Sequence, residues 1–437
     1  MLAPNQRRAI FKSNMALERL NETTWRLSPG PFDAHGHPRL CDAINYDDFN
    51  PINEGKEGKA GPDPFSREAL SGGITGINAM PNESLRLLDK DAEDPEATIT
   101  VPYPIANLDR VRTMQNAINQ QSVIPMGVYM GLDPETAMWG NEKARVNRPH
   151  LAREFSSVSD ECLGLKVYLA QTTGGYAIDL SKAAEVAELW HRNNPEKPII
   201  YHVEGLGVPY LMRELSRLRH GTEMPTHLAH VSSKLELSAK MKAEDYGMNV
   251  SCEVTPHHLF MNDAMAQFVG GYGCVKPRIK SEPQRRFMWD NIDRIEMFAS
   301  DCAPHRRSDK EAAAPAFGIT NHKVMIPLLL GAVADGRLTM EDIYQKFCIA
   351  PRERFNLPLN DGSYVVLSTA VSHSVERYEQ AEYGYSPFGK LPDAPKMIGE
   401  VVVAHAGRST YHANREQQDF NTSYTHLIRP KNLIPKE

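Results

Sequence analysis

Two histidines separated by a single glycine lie in the stretch GPFDAHGHPRL, residues 30–40. His35 and His37 follow a short apolar run, and alternate residues of a strand point to the same side, so one metal ion could bind both imidazoles. The chain contains 16 histidines, and chance alone can produce such a pair. A metal site is therefore indicated only if other ligands lie at the same place.

Eight short apolar segments typical of buried parallel strands recur along the chain, and most precede a stretch with helical periodicity. They are residues 31–35, 76–81, 123–130, 163–169, 198–203, 226–231, 249–254 and 295–300. This alternation predicts an α/β fold, a (β/α)8 TIM barrel. In such barrels binding and chemistry take place at the C-terminal ends of the strands, which is where further ligands should lie.

Six side chains that could bind metal lie on these strands or directly after them. His35 and His37 close the first strand, Lys166 lies on the fourth, His202 ends the fifth, His230 ends the sixth, and Asp301 follows the eighth. Imidazole nitrogens and carboxylate oxygens are the usual ligands of a hydrolytic Zn²⁺. A single histidine or lysine at such a position is more often structural, but six together at one end of a barrel favour a metal centre.

Lys166, in GLKVYL, is the unusual member of this set. Burial and the charge of a nearby metal should lower its pKa, and a neutral amine can add CO₂ to form a carbamate. The carbamate is an anion with two oxygens, one for each of two metals. The alternative is a structural lysine whose ammonium group reaches solvent.

Composition favours a small-molecule substrate. The 437 residues include 49 basic and 55 acidic ones, a balance that provides no electrostatic surface for nucleic acid or an anionic membrane. No apolar run approaches the roughly 20 residues that span a bilayer. The six cysteines lack close pairing, so we expect free thiols and a cytoplasmic location.

From about Pro31 to about Ala413 the chain resembles the metal-dependent amidohydrolases. Within them it is similar to the dihydroorotases found in multifunctional animal pyrimidine-synthesis proteins. The resemblance is carried, in family order, by DAHGHPR, GGITGINAMPN, GLKVYL, YHVEG, HLAHVSS, SCEVTPHHLFM, FASDCAPH and IPLLLGAVADGRL. Together these motifs are specific, although the HxH pair alone is only moderately so.

The resemblance implies a cofactor of two Zn²⁺ per chain. His35, His37 and Asp301 would bind one zinc, His202 and His230 the other, and carboxylated Lys166 and a hydroxide would bridge them. Asp301 would also carry the proton from the attacking hydroxide to the leaving nitrogen. The reaction implied is the reversible cyclisation of N-carbamoyl-L-aspartate to L-dihydroorotate and water, in de novo pyrimidine biosynthesis.

The resemblance also implies substrate contacts. Arg39 and Asn82 would bind the ring carboxylate with help from His305, and Lys276 falls where relatives carry a substrate-contacting residue. Hydantoinases and dihydropyrimidinases share the metal ligands but have no carboxylate to bind and generally lack the arginine. Arg39 therefore favours dihydroorotase over an allantoinase or a hydantoinase, which stays the alternative enzyme.

Glu253 and His257, in CEVTPHHLF, are expected to support the ligands or to pack beside them. A non-catalytic homologue that acts as a scaffold for a pyrimidine-pathway assembly is the alternative from a different class. It is disfavoured because such homologues usually lose ligands. We expect a homo-oligomer, a dimer or larger, with possible association with other enzymes of the pathway.

The expected domains are an N-terminal extension (1–30), the barrel (31–360), and a C-terminal accessory β segment and tail (361–437). Because few residues precede the first barrel strand, we expect a reduced accessory β region formed largely by the C-terminal segment. The chain departs from the family in a long insertion over 40–74, in Cys302 where many relatives have histidine, and in VKPRIK. The insertion could be a lid, a partner surface or a mobile loop.

Overall fold

The computed structural model describes residues 16–38, 61–81, 85–88, 98–101, 106–139, 145–171, 177–373 and 386–413. Two predicted substrate-binding residues, Arg39 and Asn82, lie outside these ranges, as do residues 40–60 of the predicted insertion. Residues 62–71 of that insertion form a helix.

Eight parallel strands form the predicted barrel, and each overlaps one of the predicted apolar segments. The strands are Phe32–Gly36, Gly76–Ala79, Met126–Val128, Leu165–Tyr168, Ile199–His202, Thr226–Leu228, Val250–Val254 and Met297–Phe298. Neighbours along this order pair in parallel. Single bridges between Met130 and Leu165 and between Gly36 and Cys302 complete the ring. The TIM-barrel prediction is confirmed.

Helices alternate with the strands and cover the outside of the barrel. The longer ones are Pro62–Ser71, Leu108–Gln121, Arg148–Ser157, Ala183–Asn193, Gly207–Ser216, Lys234–Asp245, Glu282–Asp290 and His322–Ala334. Short helices are Pro134–Ala137, Pro256–Phe260, Asp263–Phe268, Arg307–Lys310, Met340–Ile343 and Ala350–Arg354, and Tyr344–Ile349 forms a π-helix. Each of these helices can turn one apolar face toward the barrel. In the helix Ala183–Asn193, that face includes the buried residues Val186, Leu189 and Trp190, which recur with the 3.6-residue period of a helix.

A five-stranded antiparallel sheet lies beside the barrel. Its order is Ala16–Arg19, Thr24–Ser28, Tyr364–His373, Met397–Ala406 and Ser409–His412. Three strands come from the C-terminal segment, as predicted, but residues 16–28 of the predicted N-terminal extension belong to the same sheet. The sheet approaches the helix His322–Ala334 closely: a Cβ on Gly331 would lie 2.0 Å from the carbonyl oxygen of Lys396.

Two short antiparallel pairs lie outside these sheets, Leu85–Leu88 with Thr98–Val101 and Met138–Trp139 with Arg145–Val146. The five cysteines in the described part of the chain are free thiols, as predicted, and Cys41 lies outside it. Among the helices in the described ranges, none has the length and apolar character needed to cross a bilayer.

Candidate metal centre

Three predicted ligands meet where the first and eighth strands end. The Nε2 atoms of His35 and His37 lie 3.2 and 3.0 Å from Oδ1 of Asp301. All three side chains are buried, and their ligand atoms lie within 4.8 Å of one another. Burial alone would raise the pKa of the Asp301 carboxyl, but the two imidazoles hold it well below its usual range. The group is therefore a carboxylate flanked by two imidazoles, a donor set that suits Zn²⁺.

The other two predicted histidine ligands face each other at the ends of the fifth and sixth strands. Nδ1 of His202 lies 2.9 Å from Nε2 of His230, and both rings are buried. Burial lowers the pKa of both, and for His230 the neighbouring His202 lowers it further. Neutral imidazoles at neutral pH keep the ring lone pair that binds a metal. The rings of His35 and His230 are 5.2 Å apart, so the two groups of ligands adjoin.

Lys166 interacts with both groups. Its side chain is 1% exposed, and its Nζ has no hydrogen-bond partner among the described residues. Burial lowers its pKa to about 8, against the opposing effect of Glu253 and Asp301. Its charge in turn lowers the pKa of His202 and of His230.

An unpartnered buried ammonium is costly, and it is rare in native proteins. The Nδ1 of His230 is a second buried polar atom without a hydrogen-bond partner in the described part of the chain. Beside neutral imidazoles and a carboxylate, this arrangement fits a lysine that is carboxylated when metal is bound. The residues present thus fit the implied two-zinc cofactor.

Glu253, on the seventh strand, contacts a residue of each group of predicted ligands. Its buried carboxylate accepts hydrogen bonds from Nδ1 of His35, from Nε2 of His227 at 3.1 Å and from the backbone N–H of His230 at 3.3 Å. A carboxylate at Nδ1 fixes the tautomer and orientation of an imidazole, so Nε2 of His35 faces Asp301. The predicted role of Glu253 beside the ligands stays a prediction, and these contacts agree with it. His227 had not been singled out.

Two of the predicted ligands have unusual backbone conformations. His230 has φ of +37° and Asp301 has φ of +47°, in the left-handed region that residues other than glycine rarely adopt. Such conformations cost roughly 1–3 kcal/mol each and persist where the surroundings impose them. Here the contact between Glu253 and the N–H of His230 is one such restraint. The strain coincides with two of the six predicted metal ligands.

A buried polar network holds the segment before Asp301. Asp33 accepts hydrogen bonds from the backbone N–H groups of His35 at 3.1 Å and Ser300 at 2.9 Å, and its Oδ2 lies 3.2 Å from Nε2 of His322. The Ser300 hydroxyl accepts from the backbone N–H of Cys302 at 2.9 Å. Our sequence reasoning missed Asp33, Ser300 and His322. The one available signal was the position of Asp33, two residues before His35 on the same strand face.

The predicted substrate-binding residues in the described part of the chain lie on loops that follow the barrel strands. His305 is buried, and its Nε2 donates to the carbonyl of Phe317 at 2.9 Å. Lys276 donates to the carbonyl of Gln171 at 2.8 Å and lies 4.8 Å from the centre of the Phe317 ring. Glu204, which had not been predicted, lies 3.3 Å from Nε2 of His202. The HVEG stretch places this carboxylate only two residues beyond the predicted ligand His202.

His257 lies in the helix Pro256–Phe260, directly after the seventh strand, and is fully buried. Its Nδ1 lies 3.5 Å from Nδ2 of Asn321. Its Nε2 has no hydrogen-bond partner within the described ranges. Burial, followed by the charge of His258, holds its pKa well below the usual value. This placement suits the packing role expected for His257.

Comparison with known proteins identifies relatives over most of the chain. No family model matches. The multifunctional protein CAD of Squalus acanthias is 27% identical to this chain over 85% of the chain's length. The matched region is only 14% of the length of CAD. A dihydroorotase of Pyrococcus horikoshii is 30% identical over 75% of the chain and 66% of its own length. Among solved structures, an L-hydantoinase of Arthrobacter aurescens superposes with a TM-score of 0.69 over 90% of this chain and 87% of the other. At 18% identity, that likeness shows the fold alone.

We predict that Glu253→Gln weakens zinc binding about 10- to 100-fold, because a neutral amide no longer fixes the tautomer of His35. Competition with a chromophoric chelator, together with metal analysis, would measure the change. Glu296→Gln is the matched control, since Glu296 directly precedes the eighth strand and accepts from Lys240 and, at 2.8 Å, from the backbone N–H of Cys252, neither of which is a predicted ligand. Unchanged affinity in Glu253→Gln, or an equal loss in both variants, would contradict the orienting role.

Proposed function

We propose that this chain, which belongs to the dihydroorotase family of the amidohydrolases, catalyses the reversible, zinc-dependent cyclisation of N-carbamoyl-L-aspartate to L-dihydroorotate and water. The observation that carries this proposal is the convergence of the six ligand residues at the C-terminal end of one barrel. Because the chain spans about one seventh of the CAD relative, its activity is our proposal and is not taken from that protein.

His35, His37 and Asp301 would hold one zinc, and His202 and His230 the other. Carboxylated Lys166 would bridge the two ions. Bound zinc would supply an activated hydroxide and would polarise the carbonyl of the cyclic amide. Two divalent cations against the carbamate, Asp301 and a hydroxide leave a formal charge of about +1, which favours an anionic substrate.

Asp301 is our candidate for proton transfer. His35 and His37 hold its pKa well below the usual range, so it is a carboxylate throughout the neutral pH range. In hydrolysis it would accept the proton of the attacking hydroxide and donate it to the amide nitrogen as the ring opens. In cyclisation the same carboxylate would carry the proton in the opposite direction.

We assign the substrate carboxylate to Arg39 and Asn82, since a planar guanidinium can bind a carboxylate through two parallel hydrogen bonds. His305 and Lys276 would complete this side of the site. The substrate of a hydantoinase has no carboxylate at this position for such an arginine to bind. A non-catalytic scaffold would have no use for all six ligands.

We further propose a cytoplasmic homo-oligomer that associates with other pyrimidine-synthesis enzymes. The support for this association is the similarity to CAD, whose name describes a multifunctional protein.

The reaction itself can be tested by following dihydroorotate absorbance with the zinc-loaded protein. We expect turnover that a chelator abolishes and added zinc restores. Hydantoin and dihydrouracil, which lack the carboxylate, should react at least about 100-fold more slowly, because the polar groups meant for it would stay unpaired. Turnover of these two compounds without turnover of dihydroorotate would refute dihydroorotase activity and favour a hydantoinase.

Arg39→Ala should lower kcat/KM for dihydroorotate about 10- to 150-fold, the equivalent of losing about 1.5–3 kcal/mol of charge-assisted hydrogen bonding. Its residual turnover of hydantoin should not change. Arg192→Ala serves as the control, because Arg192 is 62% exposed and pairs only with Glu188 of its own helix among the described residues. An Arg39 variant with full activity on dihydroorotate would exclude this residue from carboxylate binding.

Carboxylation of Lys166 can be observed directly by NMR. Zinc-loaded protein prepared with ¹³C-bicarbonate should show a carbamate carbon resonance that is absent from Lys166→Ala, and kcat/KM should fall about 100-fold or more in that variant. Lys310 is another buried lysine whose pKa burial lowers to about 8, so Lys310→Met is the matched control and should keep the resonance. A resonance that survives in Lys166→Ala would assign the carbamate elsewhere.

A further inference from the structure

Lys310 is a buried cation in the loop that follows the eighth barrel strand. It ends the short helix Arg307–Lys310 and is 1% exposed. An ammonium has three N–H donors, and here they reach three backbone carbonyls, those of Cys274 at 3.0 Å, Ala316 at 2.7 Å and Gly318 at 2.7 Å. The side chain thus uses its full hydrogen-bonding capacity on backbone.

The charge of Lys310 is not neutralised by an ion pair, since no carboxylate in the described ranges lies within 4 Å of its Nζ. Lys240, which is equally buried, contacts Glu296 and lies 3.1 Å from Oε2 of Glu244. Burying a cation among neutral carbonyls is expensive, and a well-packed apolar side chain is often at least as stabilising. Lys310 is therefore poorly explained by stability alone.

Two of the three carbonyls flank a residue that contacts a substrate-binding side chain. Ala316 and Gly318 stand on either side of Phe317, whose own carbonyl accepts the hydrogen bond from Nε2 of His305 at 2.9 Å. By fixing both neighbours, Lys310 sets the position of the Phe317 carbonyl. That carbonyl in turn requires a proton on Nε2 of His305 and restrains that side of the ring.

The third carbonyl connects Lys310 to the other proposed substrate-binding loop. Cys274, two residues before Lys276, also accepts a hydrogen bond from the backbone N–H of Gly318 at 3.0 Å. The ammonium of Lys276 lies over the ring of Phe317. The loops after the seventh and eighth strands therefore meet at one buried cation.

The loop has little room to shift around this contact. Gly318 has φ of +148°, and a Cβ there would lie 2.4 Å from the carbonyl oxygen of Ala303 and 3.0 Å from Cδ2 of His305. A Cβ on Gly271 would lie 1.8 Å from the carbonyl oxygen of Lys310. The backbone is therefore closely packed against both Lys310 and His305.

We propose that Lys310 is a positioning residue that fixes His305 and Lys276 for substrate binding by crosslinking the carbonyls of their two loops. The inference rests on the proposed function, since that function makes these two side chains substrate ligands. Lys310 does not contact the metal ligands in the described structure. Its loss should therefore weaken substrate binding and leave the metal centre intact.

The experiment compares Lys310→Met with Lys240→Met in the zinc-loaded full chain. Methionine keeps much of the length of lysine and removes the charge and donors. For Lys310→Met we expect KM for dihydroorotate to rise about 10-fold or more, with kcat within about 3-fold and zinc content unchanged, the pattern of lost binding common to substrate and transition state. Lys240→Met should lower the melting temperature and leave KM unchanged.

Hydrogen exchange of the backbone amides provides a second readout, which does not depend on turnover. In Lys310→Met, the N–H of Gly318 should exchange faster than in the unmodified protein, and in Lys240→Met it should not. If Lys310→Met does not fold, Lys310→Gln, which keeps donors without the charge, is measured in the same way. An unchanged KM with unchanged exchange, or a fall in kcat accompanied by zinc loss, would overturn the proposal.

Failure of the proposed function gives a different result. If the unmodified protein turns over hydantoin and not dihydroorotate, the dihydroorotase proposal fails. The exchange of Gly318 and the KM for hydantoin then still report whether Lys310 orders the two loops.

Discussion

The geometry of the candidate metal centre depends on one buried carboxylate, that of Glu253. A charged group removed from water is tolerated only when it is well paired, and Glu253 has three donors. They belong to His35 on the first strand, to His227 on the sixth and to the backbone of His230 just beyond it. Because these donors come from separate parts of the barrel, a single charge restrains candidate ligands on both sides of the site. Without it, the imidazole of His35 would lose the contact that turns its Nε2 toward Asp301.

Closure of the barrel also brings together the first group of candidate ligands. The bridge between Gly36 and Cys302 joins the first and eighth strands, and the backbone N–H of His37 donates to the carbonyl of Cys302 at 3.0 Å. That pairing brings His35 and His37 beside Asp301, whose left-handed backbone turns its carboxylate inward. Stabilisation of the barrel can thus offset the roughly 1–3 kcal/mol of backbone strain at Asp301.

The barrel could be predicted from the sequence, and so could the grouping of the candidate ligand residues at one of its ends, because both leave local signals. Buried parallel strands are continuous apolar runs, and ligands follow directly at their ends. The supporting contacts leave no such signal. Glu253 meets His35 across 218 residues of sequence and Asp33 meets His322 across 289, so only the folded chain brings them together. The same applies to the N-terminal strand Thr24–Ser28, which pairs with Tyr364–His373 near the other end of the chain.

Backbone acceptors are harder still to infer, because every residue carries one. Lys166 and Lys310 illustrate the consequence, since burial lowers the pKa of both to about 8. All three N–H groups of the Lys310 ammonium donate to backbone carbonyls. These hydrogen bonds favour the protonated form of the side chain. The Nζ of Lys166 has no such acceptor among the described residues. Deprotonation of the Lys166 ammonium therefore breaks no hydrogen bond to these residues, and the neutral amine has a lone pair with which, in our proposal, CO₂ would react. Hydrogen bonding, and not burial alone, separates a lysine suited to carry a carbamate from one suited to hold two loops together.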